Sequence, residues 1–286
     1  MDIKKSIIKR IRKLRSLNLA YDFEKNYKKI PESFSFKFFE KPLVSIVIPV
    51  YNQYKYTHAC LWSILNNTEN FEYEIIIGDD NSSDETMHIA KKIEGITVVR
   101  NEQNLGFLLN TNNAVSHARG KYIVLMNNDI IVRKNWLDSL LKTIEQDEKV
   151  GYVGGKYLEG SGLVHEAGSF VDKNGYTGFY HQLERAKSKE VNKLKEVDYC
   201  SACGVIFKKE VWDKIGGFDE IFSPGYYEDV DLCYQIKYNL GLKIVYQPEC
   251  EMYHFHGQTH GEKATKQSAL NRAKFVQKWG KFLEKK

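Results

Sequence analysis

The sequence predicts an α/β fold with a Rossmann-like, mainly parallel sheet flanked by helices. Two observations support this prediction. From residue 42 onward, short apolar runs alternate regularly with segments of helical periodicity. Hydrophobic residues make up 42% of the 286-residue chain and aromatic residues 13%, which is enough for a sizeable core. Strands that alternate with helices are joined by right-handed crossovers, and the resulting sheet is mainly parallel.

The first half of the chain has the clearest order of elements. Strands are predicted at residues 44–50, 73–78, 96–99, 122–126 and 151–154. Helices are predicted at residues 55–65, 83–93, 106–118 and 135–146. Ser83 is the expected cap of the second of these helices, because a serine hydroxyl can accept a hydrogen bond from the first helical turn.

The second half is less regular. Between residues 156 and 198, glycines, aromatic residues and charges mix without a clear period, which predicts an insertion built of hairpins. A strand and helix follow at 204–215, a helix at 228–240 and a strand at 242–246. Residues 262–282 form a helical C-terminal extension, in which Leu270, Ala273, Val276 and Trp279 are expected on the buried side.

The N-terminal extension is basic. Residues 4–15 hold seven lysines and arginines and no acidic residue, with isoleucines at helical spacing. Such a helix suits an anionic membrane surface, although a solvated helix or tail fits the pattern equally well. No aromatic residues interleave the basic ones and the net charge is only +5, so nucleic acid is not an expected partner. Without a signal peptide or a membrane-spanning apolar run, the chain is expected in the cytoplasm, with placement at the inner membrane surface left open.

Five cysteines are scattered through apolar stretches, which is typical of buried thiols in a reducing compartment. Cys200 and Cys203 have the spacing of metal ligands. No second pair completes a tetrahedral site, so structural zinc is not expected.

Polar residues follow several predicted strands, at the sheet edge where parallel α/β folds bind ligands. Pro49 ends the first strand, and Tyr51 behind it could lie against a nucleobase. Asp79 and Asp80 end the second strand, where they could bind a base N–H and a ribose hydroxyl. The alternative is that residues 80–84 only cap the next helix.

Acidic residues and histidines follow the later strands. Asp129 ends the fourth strand and could hold Mg²⁺ or Mn²⁺, although an Asn-Asn-Asp sequence is more often a simple turn. Glu228 and Asp229 begin a helix, where the dipole favours acids, but a carboxylate there could also act as a general base. A histidine able to bind metal, His254, follows the last strand.

Six segments in this order resemble glycosyltransferase family 2, which has the GT-A fold. They are VSIVIPVYN at 44–52, DDNSSD at 79–84, NEQNLGF at 101–107, LMNND at 125–129, GGFDE at 216–220 and YEDVDLC at 227–233. The similarity extends over residues 42–260 and is greatest to the rhamnosyltransferase-like branch that makes bacterial surface polysaccharides. It implies a GT-A domain at 42–260, with a donor half at 42–155 and an acceptor and catalytic half at 156–260. Residues 1–41 and 261–286 would be extensions.

The resemblance implies a role for each matching residue. Tyr51 and Asp79 would hold the nucleobase and Asp80 the adjacent nucleoside. The remaining donor-binding residues would be Pro49, Asn104, Asn127 and Asn128.

The implied metal site is the family's Asp-x-Asp motif, in which Asn127 replaces the first carboxylate and Asp129 keeps the second. His254 would complete the site for Mn²⁺ or Mg²⁺, with His256 as a further ligand. Asp229 would be the general base, with Glu228 beside it.

The implied function is inverting transfer of a hexosyl or deoxyhexosyl group. The donor would be a UDP- or dTDP-sugar, and the acceptor a hydroxyl of a glycan or lipid-linked glycan. A sugar-nucleotide pyrophosphorylase is disfavoured, because the first strand is followed by Tyr51 and Asn52 rather than by a glycine-rich basic loop. The second hypothesis is a catalytically degenerate partner subunit, which only the replacement at Asn127 favours.

Overall fold

The computed structural model describes residues 21–255 and 262–284. The basic helix expected within residues 1–20 and the further ligand His256 lie outside these residues, so both stay predictions. No helix in the described ranges is both long and apolar enough to cross a lipid bilayer.

The element order matches the alternation expected for residues 42–158. The strands are β1 (Phe34–Ser35), β2 (Val44–Val50), β3 (Tyr73–Asp79), β4 (Ile93–Glu94), β5 (Ile96–Arg100), β6 (Tyr122–Met126), β7 (Ile130–Val132), β8 (Val150–Leu158), β9 (Val164–Glu166), β10 (Ser169–Val171), β11 (Thr177–Phe179), β12 (Lys195–Glu196), β13 (Gly204–Lys208) and β14 (Lys243–His254). The α-helices are α1 (Phe23–Tyr27), α2 (Tyr54–Asn67), α3 (Ile89–Lys92), α4 (Phe107–Val115), α5 (Trp136–Gln146), α6 (Lys209–Ile215), α7 (Glu228–Tyr234) and α8 (Glu262–Leu283).

A ten-stranded sheet forms the centre of the fold, with most strands in the order β12-β14-β8-β13-β6-β2-β3-β5. The strands β6, β2, β3 and β5 are parallel neighbours, and β8 is parallel to β14. Between these two parallel groups, β13 runs antiparallel to both β6 and β8. The predicted α/β fold with a mainly parallel sheet is therefore confirmed.

Both faces of the parallel half are buried. Val47 and Ile76 pack into one apolar cluster, whereas Ile46 and Ile48 pack into a second cluster. Successive side chains of a strand point to opposite faces, so this division shows helices covering both sides of the sheet. The unbroken apolar runs of β2 and β6 follow from this double burial.

The helix predicted at 83–93 is present but shorter and less regular than expected. A 3₁₀ turn covers Glu85–His88, the single α-helical turn α3 follows, and the chain then extends into β4. Asp84, not Ser83, caps the 3₁₀ turn by accepting a hydrogen bond from Thr86 N at 2.9 Å. The helix ends early because Ile93 pairs in parallel with Phe34 of β1.

Two strands are longer than predicted, and the short strands β1, β4 and β7 were not predicted. The strand predicted at 151–154 runs to Leu158, and the one predicted at 242–246 continues to His254. In these extensions polar residues interrupt the apolar pattern of the sequence, and one of them is the buried Lys156. Its ammonium group lies 2.9 Å from Glu251 Oε1 and 2.8 Å from Asn192 Oδ1, so the charge is paired inside the fold.

The irregular region does contain a hairpin, in which β10 pairs antiparallel with β11. The C-terminal segment is helical, and its buried face was predicted only in part. Leu270 is 53% exposed and Ala273 is exposed as well. Trp279 is buried as expected and Val276 packs against the core. The other buried side chains among the described residues of this helix are Asn271, Phe275 and Leu283. Together with Trp279, these buried residues recur every four positions, but the first of them, Asn271, is polar, so the apolar pattern in the sequence does not reveal this face.

Candidate active site

Two adjoining cavities open at the carboxyl edge of the sheet. The first, here the Tyr51 cavity, has a volume of about 350 Å³. It is lined by residues at or after the carboxyl ends of β2, β3, β5 and β6, among them Pro49, Tyr51, Asp80, Asn104, Asn127, Asn128 and Asp129. The second, here the Asp229 cavity, has a volume of about 420 Å³ and lies against α7 and the β10–β11 hairpin. The two cavities share Phe107, Asn127 and Asp129.

Most of the predicted donor-binding residues are thus brought together around the Tyr51 cavity. Tyr51 is 53% exposed, so its ring is open to a ligand. Asn128 also lines the cavity, where its amide donates a hydrogen bond to Thr57 Oγ1 at 3.0 Å. Asp79 does not line either cavity.

The two carboxylates that end β3 are buried and bonded within the protein. Asp79 pairs with Arg100 and accepts a hydrogen bond from Ser82 N at 2.9 Å. Asp80 accepts hydrogen bonds from Leu105 N at 2.8 Å and Gly106 N at 2.9 Å. Asp80 therefore fixes the loop before α4 while lining the Tyr51 cavity, and Asp79 lies behind it. The nucleobase role implied for Asp79 stays a prediction.

The strand β7, which the sequence did not predict, brings Asp129 and His254 together. Ile130 of β7 pairs with His254 at the end of β14, and Phe255 N donates a hydrogen bond to Asp129 O at 3.1 Å. As a result, His254 Nε2 lies 3.1 Å from Asp129 Oδ1. Both side chains border the Asp229 cavity.

These residues are suitable for a divalent cation. Asp129 Oδ1 is buried against His254 Nε2, so a carboxylate oxygen and an imidazole nitrogen, both of them ligands of divalent cations, face each other at this point. Asn127 lines the same space and could offer an amide oxygen. Among the described residues, no three His, Cys, Asp or Glu side chains gather closely enough to hold a metal by themselves. A cation at Asp129 and His254 would therefore take further ligands from the donor.

Asp229 lies at the start of α7 and is partly exposed to the cavity named after it. Its Oδ1 accepts a hydrogen bond from Val230 N at 2.8 Å, and its Oδ2 accepts a longer one from Ala202 N at 3.4 Å. Burial raises the pKa of Asp229 above the usual aspartate value, against the opposing effect of these backbone donors. A raised pKa makes the ionised carboxylate a stronger proton acceptor.

Glu228 is more deeply enclosed than its neighbour, with 6% of its surface exposed. Burial, and secondarily the adjacent Asp229, raise the pKa of Glu228 well above its usual range. Its Oε2 has no hydrogen-bond partner among the described residues. Burial thus favours the neutral form of Glu228, whereas the more exposed Asp229 ionises more readily.

A fourth carboxyl group, Glu166, faces the same cavity and was not predicted from the sequence. It ends β9, is only 1% exposed, and accepts hydrogen bonds from Ser169 Oγ at 2.9 Å and Ser201 N at 3.0 Å. Burial raises its pKa. It anchors the segment before β13, whose Ala202 N–H reaches Asp229. An acidic residue inside the short apolar stretch 163–168 was the available signal.

The described lining residues of both cavities include no lysine or arginine. Four acidic residues, Asp129, Glu166, Glu228 and Asp229, border the Asp229 cavity. An anionic ligand such as a diphosphate would therefore meet a negative site unless a cation accompanied it.

The sheet, with its cavities at the carboxyl edge, defines a GT-A type domain. A solved structure with the same fold is GalNAc-T7 with UDP, GalNAc and Mn²⁺, at a TM-score of 0.68 and 15% identity over 85% of this chain and 50% of that one. A second is the mannosyltransferase PcManGT from Pyrobaculum calidifontis in complex with GDP-Man and Mn²⁺, at a TM-score of 0.57 and 17% identity over 86% of this chain and 66% of that one. The model of glycosyl transferase family 2 matches residues 45–216. The chain belongs to glycosyltransferase family 2.

Curated relatives align with most of this chain but are much longer. An uncharacterised protein of Sinorhizobium fredii is 29% identical over 234 residues, which cover 78% of this chain and 26% of that protein. The O-antigen biosynthesis protein RfbC of Myxococcus xanthus is 28% identical over 74% of this chain and 17% of its own length. Chondroitin synthase of Escherichia coli is 24% identical over 68% of this chain and 32% of its own length. This chain thus spans about a third or less of these relatives.

Proposed function

We propose that this chain transfers a sugar from a nucleoside-diphosphate sugar to an acceptor hydroxyl, with inversion at the anomeric carbon. The observation that carries the proposal is the juxtaposition of the Asp129–His254 pair with Asp229 around one cavity that continues into the Tyr51 cavity. A donor that filled the Tyr51 cavity would have its diphosphate near Asp129. Its sugar would then face Asp229.

In the proposed reaction, Asp229 accepts the proton of the acceptor hydroxyl as that oxygen bonds to the anomeric carbon. The bond from this carbon to the diphosphate oxygen breaks in the same displacement, and the nucleoside diphosphate leaves with the bonding electrons. One displacement from the opposite face inverts the configuration. The raised pKa of Asp229 suits a group that must accept a proton near neutral pH.

The proposed cofactor is Mn²⁺ or Mg²⁺. Asp129 and His254 would hold it, with Asn127 beside them in place of a second carboxylate. When bound, the cation would neutralise the negative charge that develops on the leaving diphosphate. The described cavity linings include no lysine or arginine that could balance this charge, which supports the proposed need for a cation. The structures of GalNAc-T7 and of the mannosyltransferase each contain Mn²⁺.

The proposed donor is a UDP- or dTDP-linked hexose or deoxyhexose, with the base against the exposed Tyr51. The proposed acceptor is a glycan or lipid-linked glycan in surface-polysaccharide synthesis. The names of the O-antigen biosynthesis protein and of chondroitin synthase support an acceptor of this class. We further propose that the protein works in the cytoplasm, and that its basic N-terminal segment would favour contact with the inner membrane surface.

The test is transfer and hydrolysis of a panel of UDP- and dTDP-sugars with Mn²⁺, in the wild-type protein and in Asp229→Asn. We expect the variant to lose at least about 100-fold in kcat, because the carboxamide cannot accept the proton, while it still binds the donor. Asp213→Asn, at an exposed aspartate of α6, is the matched control and should keep full activity. The anomeric configuration of the product, read by NMR, tests inversion.

Near-normal turnover by Asp229→Asn would disprove the assignment of the base. If the wild-type protein binds a donor but neither transfers nor hydrolyses its sugar, the chain is instead a degenerate partner subunit.

A further inference from the structure

The backbone just before Glu228 and Asp229 is in an unfavourable conformation. Tyr226 has a φ of 74° and Tyr227 a φ of 72°, two consecutive left-handed residues that both carry a Cβ atom. Such a conformation is disfavoured for residues other than glycine and persists only where the surroundings fix it. Its position matters, because these two residues determine the direction in which α7 starts.

Asn271 of α8 holds this backbone segment in place through hydrogen bonds. Its side chain is fully buried, and its Nδ2 donates to Phe222 O at 2.6 Å, Gly225 O at 2.9 Å and Tyr226 O at 2.9 Å. Gln267 Nε2 donates to Asn271 Oδ1 at 3.2 Å, which orients the amide so that its NH₂ group faces the three carbonyls. A buried side-chain donor that bonds three carbonyls of one short segment holds that segment in a single shape.

The helix α8 also bonds to the chain just after Glu228 and Asp229. Trp279 Nε1 donates to Asp231 Oδ1 at 2.7 Å, and Lys278 Nζ lies 2.9 Å from the same carboxylate. Residues 222–226 and 231 are therefore both bonded to α8, with Glu228 and Asp229 between them. The match to the family model ends at residue 216, well before this helix.

We propose that Asn271 is a positioning residue, which holds residues 222–227 in the conformation that aims Asp229 at the reacting sugar. The C-terminal helix is then a working part of the active site rather than an appended extension. This inference rests on the proposed function, because it assigns Asn271 a role in the same transfer reaction.

A purely structural role for Asn271 makes a different prediction. The buried apolar side chains of α8, Phe275, Trp279 and Leu283, already dock the helix. If Asn271 served only this docking, its loss would lower stability and leave turnover of the folded protein unchanged. If Asn271 positions the base, turnover falls while donor binding is kept, since the Tyr51 cavity does not include residues 222–227.

The test variant is Asn271→Asp, which keeps the shape of the side chain but places carboxylate oxygens against carbonyl oxygens. We expect kcat to fall about 100-fold, as for a small misplacement of a catalytic group, while the dissociation constant of the donor changes less than about twofold. Hydrogen–deuterium exchange by mass spectrometry should speed up at least tenfold in peptides covering residues 222–231. Asn271→Ala, which removes the donor without adding repulsion, should change both quantities in the same direction but less.

The control is Phe282→Ala, which weakens the docking of α8 at Tyr238, 4.3 Å away between ring centroids, without touching residues 222–227. It should lower the melting temperature but leave kcat and the exchange of residues 222–227 unchanged. A folded Asn271→Asp protein with wild-type kcat, or with unchanged exchange in this segment, would overturn the inference. A wild-type protein that transfers no sugar would disprove the proposed function instead, while the exchange measurement would still decide whether Asn271 fixes the segment.

Discussion

The resemblance to the family's Asp-x-Asp motif implies that Asn127 replaces the first carboxylate, and this replacement would change how a cation is held. At the proposed metal position, the carboxylate of Asp129 and the imidazole of His254 lie 3.1 Å apart. A divalent cation usually needs six ligands, so most of them would come from the diphosphate, from water or from residues beyond the described ones. Metal and donor are therefore expected to bind cooperatively, each raising the affinity of the protein for the other.

Replacing Asp129 tests this expectation. Asp129→Ala should weaken donor binding about 10-fold or more in the presence of Mn²⁺, because the coupling between metal and donor is lost. Without the metal, the variant should bind the donor no more weakly than the wild-type protein, because it lacks one carboxylate that repels the diphosphate. Isothermal titration calorimetry measures both quantities, and Asp138→Ala, at a partly exposed position of α5, is the control. Equal affinities with Mn²⁺ would place the cation elsewhere.

Residues that follow strands could be found from the sequence, whereas those that depend on long-range pairing could not. Tyr51, Asp80 and Asp129 each come directly after an apolar run, and the sheet brings them to one edge. Glu166 gave little signal, because its role depends on hydrogen bonds to Ser169 and Ser201 that the fold creates.

The elements show the same division. The parallel strands β2 and β6 have the bounds expected from their apolar runs, since both of their faces are buried. The last part of β14 was missed because polar residues and Pro248 interrupt it. Those residues are tolerated because the strand resumes, after a register shift, beside both β8 and β7. Pairing of this kind is a property of the folded chain and leaves no periodic pattern in the sequence.

The attachment of α8 to α7 is expected to contribute measurably to stability. Trp279→Phe keeps an aromatic ring but leaves Asp231, which is fully buried, without one of its hydrogen-bond donors. We expect the free energy of unfolding to fall by about 1–3 kcal/mol at pH 7, as measured by urea denaturation. The comparison variant is Trp212→Phe, because the Trp212 ring packs on Phe207 and Phe218. This variant should lower the free energy of unfolding by less.

The cost of Trp279→Phe should depend on pH. Burial raises the pKa of Asp231 above its value in the unfolded chain, and the bond from Trp279 partly offsets that rise. Removing the bond raises the folded-state pKa further, so the variant is penalised at pH values where Asp231 must ionise. The difference between variant and wild type should therefore shrink as the pH falls below the folded-state pKa. A difference that grew towards acid pH would contradict this account of Asp231.

At the scale of the whole molecule, the active site is assembled from segments far apart in sequence. The Tyr51 cavity is formed mainly by residues 49–129, whereas the Asp229 cavity adds residues from 165 to 268. The first group follows regular βα units and was predictable. The second group depends on β13 inserting antiparallel between β6 and β8, which brings the second half of the chain beside the first. Alternation of elements predicts such a sheet but not which strands become neighbours.

The five cysteines are distributed over this assembly and are all buried as free thiols. Cys60 lies in α2, Cys200 and Cys203 precede β13, Cys233 lies in α7 and Cys250 in β14. Burial raises the pKa of every one of them, so the reactive thiolate is suppressed in the native state. Alkylation can therefore proceed only when the surrounding structure opens.

The rate at which each buried thiol is alkylated therefore reports local unfolding of the region around it. Under native conditions at pH 8, we expect iodoacetamide to modify none of the five thiols on the timescale in which it modifies all of them in urea. Peptide mass spectrometry then gives the opening rate of each region separately. A donor with Mn²⁺ should delay labelling of Cys203, which lines the Asp229 cavity, more than labelling of Cys250 in β14. Equal delays would mean that the ligand stabilises the fold only as a whole, and rapid labelling of the native protein would refute the enclosure of these thiols.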